Sequence, residues 1–391
     1  MWISHLSLRN FRNYQHLELT LPKGLVVVEG NNAQGKTNLL EALYLLSILK
    51  SFRASAERDL VNRQAMEELE AATATATVDT GGEHIRVHVA FQPMAPLPSS
   101  ERPGGPASVQ KYVRVNGAPR SVSDSVGRLN AVLFSADDLE IVLGSPSARR
   151  RFMDILLCQI DRSYLRNLQR YQRVLTQRNH LLRDARGGRP GLEEEMAYWD
   201  DQVVSLGSEI IQRRAEIVAT LSELAMATHG ELTGGEESKA SYVPSVGEEA
   251  GSLSDMADAF RQALTANRKR ELAQGVTVVG PHRDDLALTV QGLPTATHGS
   301  RGQARTQALA LRLAEAEVLA QHRGESPVLL LDDVLSEMDP NRREQVLERA
   351  SRYQQAIVTT ADIGQISEGF LHDAFRLRVT KGSLEPLPNG E

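Results

Sequence analysis

The sequence predicts an α/β fold in which a mixed-sheet domain is interrupted by an inserted, mostly helical domain. Three observations carry that prediction. An apolar strand, a glycine-bounded loop and an apolar-striped helix follow one another between Leu25 and Lys50. A second apolar strand, Val328-Leu329-Leu330-Leu331, ends in the pair Asp332-Asp333. Between them, residues 145–275 carry long helical patterns with polar faces. The expected division is a first domain over 1–144, an inserted helical arm over 145–275, and the return of the first domain over 276–391.

The elements are justified in chain order. Ile3 to Leu8 and Leu17 to Leu21 alternate as half-exposed strands of a hairpin, and Leu25 to Glu29 reads as a buried strand. A helix is expected over Lys36 to Lys50, with Leu39, Leu40, Leu43 and Leu46 on one face. Ala74 to Asp79, His84 to Phe91 and Lys111 to Val115 are further strands, the last ending at an Asn116-Gly117 turn. The five prolines of 92–106 mark a loop. Helices are expected over Ser147 to Arg186 and Leu192 to Thr228, broken at Gly187-Gly188, then over Leu253 to Gln274. Gly230 to Gly251, acidic and rich in Gly and Ser, reads as a flexible insertion.

Composition narrows the function classes. At 391 residues and 41% hydrophobic, the chain can bury real cores in two or three domains. The single cysteine, Cys158, excludes an intramolecular disulfide and an all-cysteine metal site. No basic-then-apolar leader opens the chain, and no apolar run approaches the roughly 20 residues of a membrane helix. A cytoplasmic protein without a membrane partner is expected. The net charge of −6 predicts no nucleic-acid binding by itself. Its distribution is uneven: Arg149 to Arg189 holds eleven arginines against three aspartates, whereas Gly230 to Asp258 holds seven acids against one lysine. The arginine-rich stretch reads either as a phosphate-contacting face or as a solvated helical face.

Two motifs carry chemistry. Gly30-Asn31-Asn32-Ala33-Gln34-Gly35-Lys36-Thr37 matches G-x-x-x-x-G-K-[ST] between a strand and a helix. Its backbone N–H groups and the helix N-terminus would cradle phosphates, Lys36 would reach the β- and γ-phosphates, and Thr37 would hold Mg²⁺. Asp332 is expected to hold the same Mg²⁺, and Asp333 to orient or deprotonate the attacking water. Together they specify a nucleoside triphosphatase. The N-K-x-D element of guanine selectivity is absent.

Further motifs add a resemblance. Ser300-Arg301-Gly302-Gln303 looks like an ABC-ATPase signature loop, and Ser336-Glu337-Met338-Asp339 like a D-loop. With Leu8-Arg9-Asn10-Phe11-Arg12-Asn13-Tyr14, Phe134-Ser135-Ala136-Asp137-Asp138-Leu139 and Gly280-Pro281-His282-Arg283-Asp284-Asp285-Leu286, they resemble the RecF family of DNA replication and repair proteins over essentially the full chain. The resemblance implies an ABC-type P-loop ATPase head like those of Rad50 and SMC proteins, interrupted by the helical arm. It implies an ATP-driven homodimer in which Ser300, Arg301, Gly302 and Gln303 of one subunit cover the nucleotide of the other. Arg12 and Asn13 are expected near the phosphates, Asp137 or Asp138 in the Q-loop region, and Thr360 or a neighbour as γ-phosphate sensor. The implied activity is slow, Mg²⁺-dependent ATP hydrolysis, stimulated by DNA or a partner. The implied partners are double-stranded and gapped DNA, RecO and RecR, with RecA as the protein loaded during recombinational repair and the SOS response, on the nucleoid when DNA is bound. This sequence departs from the transporter pattern at Arg301 and at Asp333, where many ABC proteins have Gly and Glu.

Arg162, Arg166, Arg170 and Arg173, spaced four, four and three, share one side of a helix and are the DNA-backbone candidates, with Leu165, Leu168 and Leu175 packing on another side. Helices of 35 to 40 residues would reach roughly 50 to 60 Å. The His282-Arg283-Asp284-Asp285 cluster reads as a polar-fixed turn or a coupling surface, in preference to a metal site. The competing readings of the whole chain are the ATPase subunit of an importer and a structural clamp that binds ATP but rarely cleaves it.

Overall fold

The computed structural model describes residues 1–95, 108–184, 192–247 and 252–388. The strands in chain order are β1 (Trp2–Phe11), β2 (Tyr14–Thr20), β3 (Gly24–Glu29), β4 (Ala72–Thr80), β5 (Glu83–Met94), β6 (Ser108–Val115), β7 (Ala118–Pro119) and β8 (Ala131–Phe134). Mid-chain come β9 (Ser238–Val243), β10 (Asp285–Val290) and β11 (Leu293–Pro294), followed by β12 (Val328–Asp332), β13 (Gln355–Thr360), β14 (Phe375–Thr380) and β15 (Ser383–Pro386). The long helices are α1 (Lys36–Ile48), α2 (Pro146–Ile160), α3 (Arg162–Asp184), α4 (Leu192–Thr233), α5 (Leu253–Gln274) and α6 (Arg301–Arg323).

The chain forms two compact units, Met1–Ala136 with Glu315–Glu391, and Asp137–Ala314. The first holds two six-stranded sheets. One has the order β2-β1-β4-β5-β6-β7 and is antiparallel throughout. The other has the order β15-β14-β3-β13-β12-β8 and is parallel except for its β15 edge. Its strands are continuous apolar runs because both faces are covered: Val26, Val27, Val28, Leu330, Ile357 and Val358 are all at 0% exposure. The antiparallel sheet instead alternates. Leu6, Leu8, Ala74, Ala76, Val87 and Val89 face the core, and the intervening residues lie on the other face, more exposed except for Thr75, which is buried there too.

The second unit packs α3, α4 and α5 with the three-stranded sheet β11-β10-β9. It departs from expectation in four ways. The helix foreseen over 147–186 is two helices, because Asp161 takes an extended conformation and its carboxylate accepts the Ser163 N–H at 2.7 Å and the Ser163 hydroxyl at 2.6 Å. The stretch foreseen as flexible contains β9, which pairs along its full length with β10, and α4 runs through Gly230 to Thr233. Because β9 and β10 are one ladder, and Arg149 grips Asp285 with Nε–Oδ1 and Nη2–Oδ2 contacts of 2.6 and 2.9 Å, this unit continues to Ala314 and not to 275. Finally, the buried stripe of α3 is Tyr164, Tyr171, Arg178 and Leu182, while Leu165, Leu168 and Leu175 are half-buried. The Gly187-Gly188 break, most of the 92–106 loop and residues 248–251 lie outside the described residues.

Several arginines that looked like surface charge are internal. Arg178 is fully buried and donates to Asp200 at 2.8 Å, to the fully buried Glu271 at 2.6 Å and to the Thr277 hydroxyl at 2.7 Å. Arg214, equally enclosed, donates to Asp154 at 2.7 Å and to the Pro281 carbonyl at 2.6 Å. The His282 cluster is a turn fixed by polar contacts: Asp284 accepts from the Tyr242 hydroxyl and from the Ser245 N–H at 2.7 Å. His282 Nε2 lies 3.1 Å from the Thr277 carbonyl and Nδ1 lies 2.8 Å from the Tyr171 hydroxyl. A carbonyl can only accept, so Nε2 carries the proton and Nδ1 accepts from Tyr171. Burial pushes this imidazole down to about 4, against the opposing pull of the Thr277 carbonyl. No group of metal ligands occurs among the described residues, and no helix there is long and apolar enough to cross a membrane.

Two stability predictions follow from this network. Arg178→Ala leaves Glu271 buried without its cation and is expected to cost about 3–5 kcal/mol, read as a lowered urea midpoint; a change below about 1 kcal/mol contradicts the assignment. His282 takes its proton near pH 4 in the fold and near about 6.5 unfolded. Its contribution is therefore complete above about pH 6.5 and is withdrawn as pH falls toward 4, by about 3 kcal/mol at most. Between those limits the urea midpoint of wild type should fall more steeply than that of His282→Gln. Parallel profiles would rule out a buried neutral imidazole.

Candidate nucleotide site and signature loop

The loop Gly30–Gly35 joins the end of β3 to the start of α1. Its course needs glycine at close approaches. A Cβ at Gly30 would lie 2.6 Å from the Val379 carbonyl oxygen, and one at Gly35, whose φ is 125°, would lie 2.7 Å from Asn13 Nδ2. Ala33 adopts φ 64°, a left-handed conformation uncommon for a non-glycine residue and typical of tight functional loops. Lys36 Nζ reaches back over the loop and donates to the carbonyls of Gly30 at 2.6 Å and Asn31 at 3.0 Å. Burial lowers its affinity for a proton, while the nearby charges of Asp333 and Asp332 act in the opposite sense.

The second motif meets the first. Thr37 Oγ1 donates to Asp332 Oδ1 at 3.0 Å, across 295 residues of sequence. Thr359 Oγ1 donates to the same oxygen at 3.0 Å and accepts the Asp333 N–H at 3.1 Å. Burial raises the Asp332 carboxyl above its ordinary value; the two threonine hydroxyls oppose this and the Asp333 charge adds to it. Asp333 begins a short helical turn in a left-handed conformation, φ 53°, and its carbonyl accepts from Ser336 at 2.7 Å. Thr360, the residue named first as a γ-phosphate sensor, turns away: its hydroxyl donates to the Asp362 carbonyl at 2.9 Å. The neighbour Thr359 holds the position beside Asp332.

Several residues brace the loop. Asn13 Nδ2 donates to the Gln34 carbonyl at 2.9 Å, and Asn13 Oδ1 accepts from Asn38 at 2.7 Å. The buried Tyr14 hydroxyl donates to the Gly35 carbonyl at 2.9 Å, and burial raises its pKa. The β14–β15 turn closes from another side, with Lys381 N–H on Gln34 Oε1 at 2.7 Å and Gly382 N–H on the Gln34 carbonyl at 3.0 Å. A Cβ at Gly382 would lie 2.3 Å from the Asn13 carbonyl oxygen. Arg12, expected to face phosphate, is instead clamped in a bidentate pair of 2.8 Å contacts to the fully buried Glu41. Arg53 and Asn38 were not singled out from the sequence, and Tyr14 entered only as the last residue of the motif 8–14, with no role given to it. Arg53 donates to Asn38 at 3.2 Å, and its charge acts to lower the Asp332 carboxyl. No local pattern marks these contacts, because they join residues distant in sequence.

In the other unit, Ser300 caps α6. Its N–H donates to Gln303 Oε1 at 2.9 Å while its Oγ accepts the Gln303 N–H at 3.1 Å. This reciprocal Ser-x-x-Gln box is legible in the sequence and explains why Gln stands at the fourth signature position. Gln303 Nε2 also donates to Glu236 at 2.9 Å. Ser300, Arg301 and Gly302 are exposed. Asp138 accepts from Arg312 at 2.8 and 2.9 Å and is thereby tied to α6, whereas Asp137 is exposed. On α3, Arg166, Arg170 and Arg173 are exposed and Arg162 is half-exposed.

Comparison with known proteins decides the family. A model of the RecF/RecN/SMC N terminal domain matches residues 2–383. The DNA replication and repair protein RecF of Herpetosiphon aurantiacus is 38% identical over 99% of this chain and 100% of its own. That of Chloroflexus aggregans is 41% identical over 98% of this chain and 99% of its own. The chain belongs to the RecF family. A solved structure of the recombination mediator protein RecF–ATP in the RecFOR pathway shares 29% identity and a TM-score of 0.87, covering 99% of this chain and 98% of that one. A Pyrococcus furiosus Smc head with an extended coiled coil, 16% identical with a TM-score of 0.52 over 99% of this chain and 96% of that one, shares the fold alone. The RecF-family assignment carries the expected fold class with it: an α/β ABC-ATPase head with mixed sheets and an inserted helical arm.

Proposed function

We propose that this chain is an ATP-dependent DNA-binding protein of recombinational repair and replication, acting at gaps and single-strand/duplex junctions. The observation that carries the reading is the 3.0 Å contact between Thr37 and Asp332, which unites a phosphate-binding loop and an acidic strand end in one site. It is supported by RecF-family membership and by the likeness to a RecF solved with ATP.

In this reading the loop 30–35 and the α1 N-terminus bind the ATP phosphates, and Lys36 neutralises charge on the β- and γ-phosphates. Thr37 and Asp332 supply two converging hard oxygens, the donor type Mg²⁺ requires. Bound there, Mg²⁺ would supply charge neutralisation to the phosphates. Asp333 orients the attacking water and accepts its proton. Thr359 holds the Asp332 carboxylate in place. Ser300 to Gln303 serve the nucleotide of a second subunit, so ATP joins two chains and hydrolysis releases them. DNA is a bound partner: Arg162, Arg166, Arg170 and Arg173 meet its backbone without reading sequence. RecO and RecR are the partners in loading RecA.

Two outcomes are expected. Asp333→Asn should lower ATP hydrolysis by at least about tenfold, in keeping with loss of a general base, while the ATP-bound dimer persists by light scattering. Wild-type turnover in that variant would remove Asp333 from the chemistry. Arg166→Glu with Arg170→Glu should weaken duplex binding and leave ATP-driven dimerisation intact; unchanged affinity across several salt concentrations would exclude this face of α3.

A further inference from the structure

The outward face of the antiparallel sheet has no role in the nucleotide site, and its composition is unusual for this chain. Register places Ser7, Thr75, His88 and Arg114 in one row across β1, β4, β5 and β6. The next row is Arg9, Thr73, Ala90 and Tyr112. The centre of the face carries short side chains apart from the half-buried His88, and Thr75 there is at 6% exposure. Three arginines surround it: Arg9 on β1, Arg86 on β5 and Arg114 on β6, all exposed. None of the three forms an ion pair among the described residues. Tyr112 stands out beside them at 47% exposure.

Carboxylates are confined to the margins. Glu18 on β2 accepts from His5 and Ser7 at 2.7 Å each, and Asp79 at the end of β4 lies 2.5 Å from His84. A chain of net charge −6 thus gathers three exposed arginines on one sheet face, while the carboxylates of that face, Glu18 and Asp79, stand at its edges against histidines. Burial holds the His88 imidazole below its ordinary value, and the neighbouring charges of Arg114 and Arg86 act in the same sense.

We infer that this sheet face docks the phosphate backbone of duplex DNA, separately from the arm. The inference rests on the DNA-binding reading above and extends it to a second surface. Arginines spread over three strands do not converge on one small anion, which needs a concave site. Such a face suits a long polyanion instead. Strands lie about 4.8 Å apart and rise about 3.4 Å per residue, so Arg9 and Arg86, two strands and four residues removed, are separated by roughly 16 Å. Arg86 and Arg114 are diagonal neighbours at about 7–8 Å. Duplex DNA carries a charge every ~1.7 Å of its axis and meets such a spacing in any register. Arginines and threonine hydroxyls are the groups that contact phosphates without reading bases, so docking here is independent of sequence.

The test is duplex binding by fluorescence anisotropy on the full chain, with a non-hydrolysable ATP analogue and Mg²⁺, over a salt series. Arg86→Glu with Arg114→Glu should weaken binding by about tenfold or more and reduce the slope of log affinity against log salt by roughly two. Arg86→Lys with Arg114→Lys should restore most of the affinity. Hydrolysis without DNA, nucleotide-driven mass and thermal midpoint should match wild type. If the Glu pair binds duplex like wild type while Arg166→Glu with Arg170→Glu does not, the sheet face is excluded and the DNA reading stands. If wild type binds no duplex, both fall. If the Glu pair changes the mass with nucleotide and leaves DNA affinity intact, the face is a contact between copies and the inference is overturned.

Discussion

The head depends on one junction: the carboxylate of Asp332 receiving the hydroxyls of Thr37 and Thr359, each at 3.0 Å. Three parallel strands must end level for this to exist. Asp332 pairs with Thr359 across β12 and β13, and Thr359 pairs with Val28 across β13 and β3, two residues before the loop begins. A one-residue slip in either ladder would send the side chain to the opposite face of the sheet. The apolar runs, alike on both faces, would tolerate such a slip; the polar strand ends would not, because Asp332 would lose both threonine hydroxyls. Strand register and site geometry are thus the same constraint.

Around that junction the loop is held by backbone-directed bonds from Asn13, Tyr14 and the turn at Lys381–Gly382. Its carbonyls receive Lys36, Asn13, Tyr14 and the Gly382 N–H, and the Gly30 N–H is bonded to the Thr360 carbonyl at 3.3 Å. Arg12 shows the opposite allocation. It lies in the stretch that resembled a phosphate contact, yet Glu41, fully buried and also bonded by Ser51, holds its guanidinium. An uncompensated carboxylate in that place would be costly, and the arginine meets this demand within the fold.

The second unit spends much of its positive charge internally. Arg149, Arg178 and Arg214 are bound to carboxylates, so the arginine-rich stretch is in part an interior network and in part an outward row on α3. Sequence periodicity cannot make that division. Arg178 lies on the same helix as Arg170 and Arg173, and only its rotation toward Glu271 and Asp200 makes it structural. The same limit hid β9. Its acidic, glycine-rich surroundings suggested a loose insertion, whereas pairing with β10, more than forty residues away, makes it a strand.

The sequence by itself determined the glycine-bounded loop, the acidic strand end, helix α1, though not its burial on nearly every side, and the presence of a helical insertion. Each is a local pattern, written in residues that are neighbours along one loop, one strand or one helix. Tertiary structure decided which threonine meets Asp332, that Arg12 pairs inward, that the second unit runs to Ala314, and that Arg9, Arg86 and Arg114 share one face. These depend on strand register and on which buried charge finds which partner, and such choices are made between segments that only folding brings together.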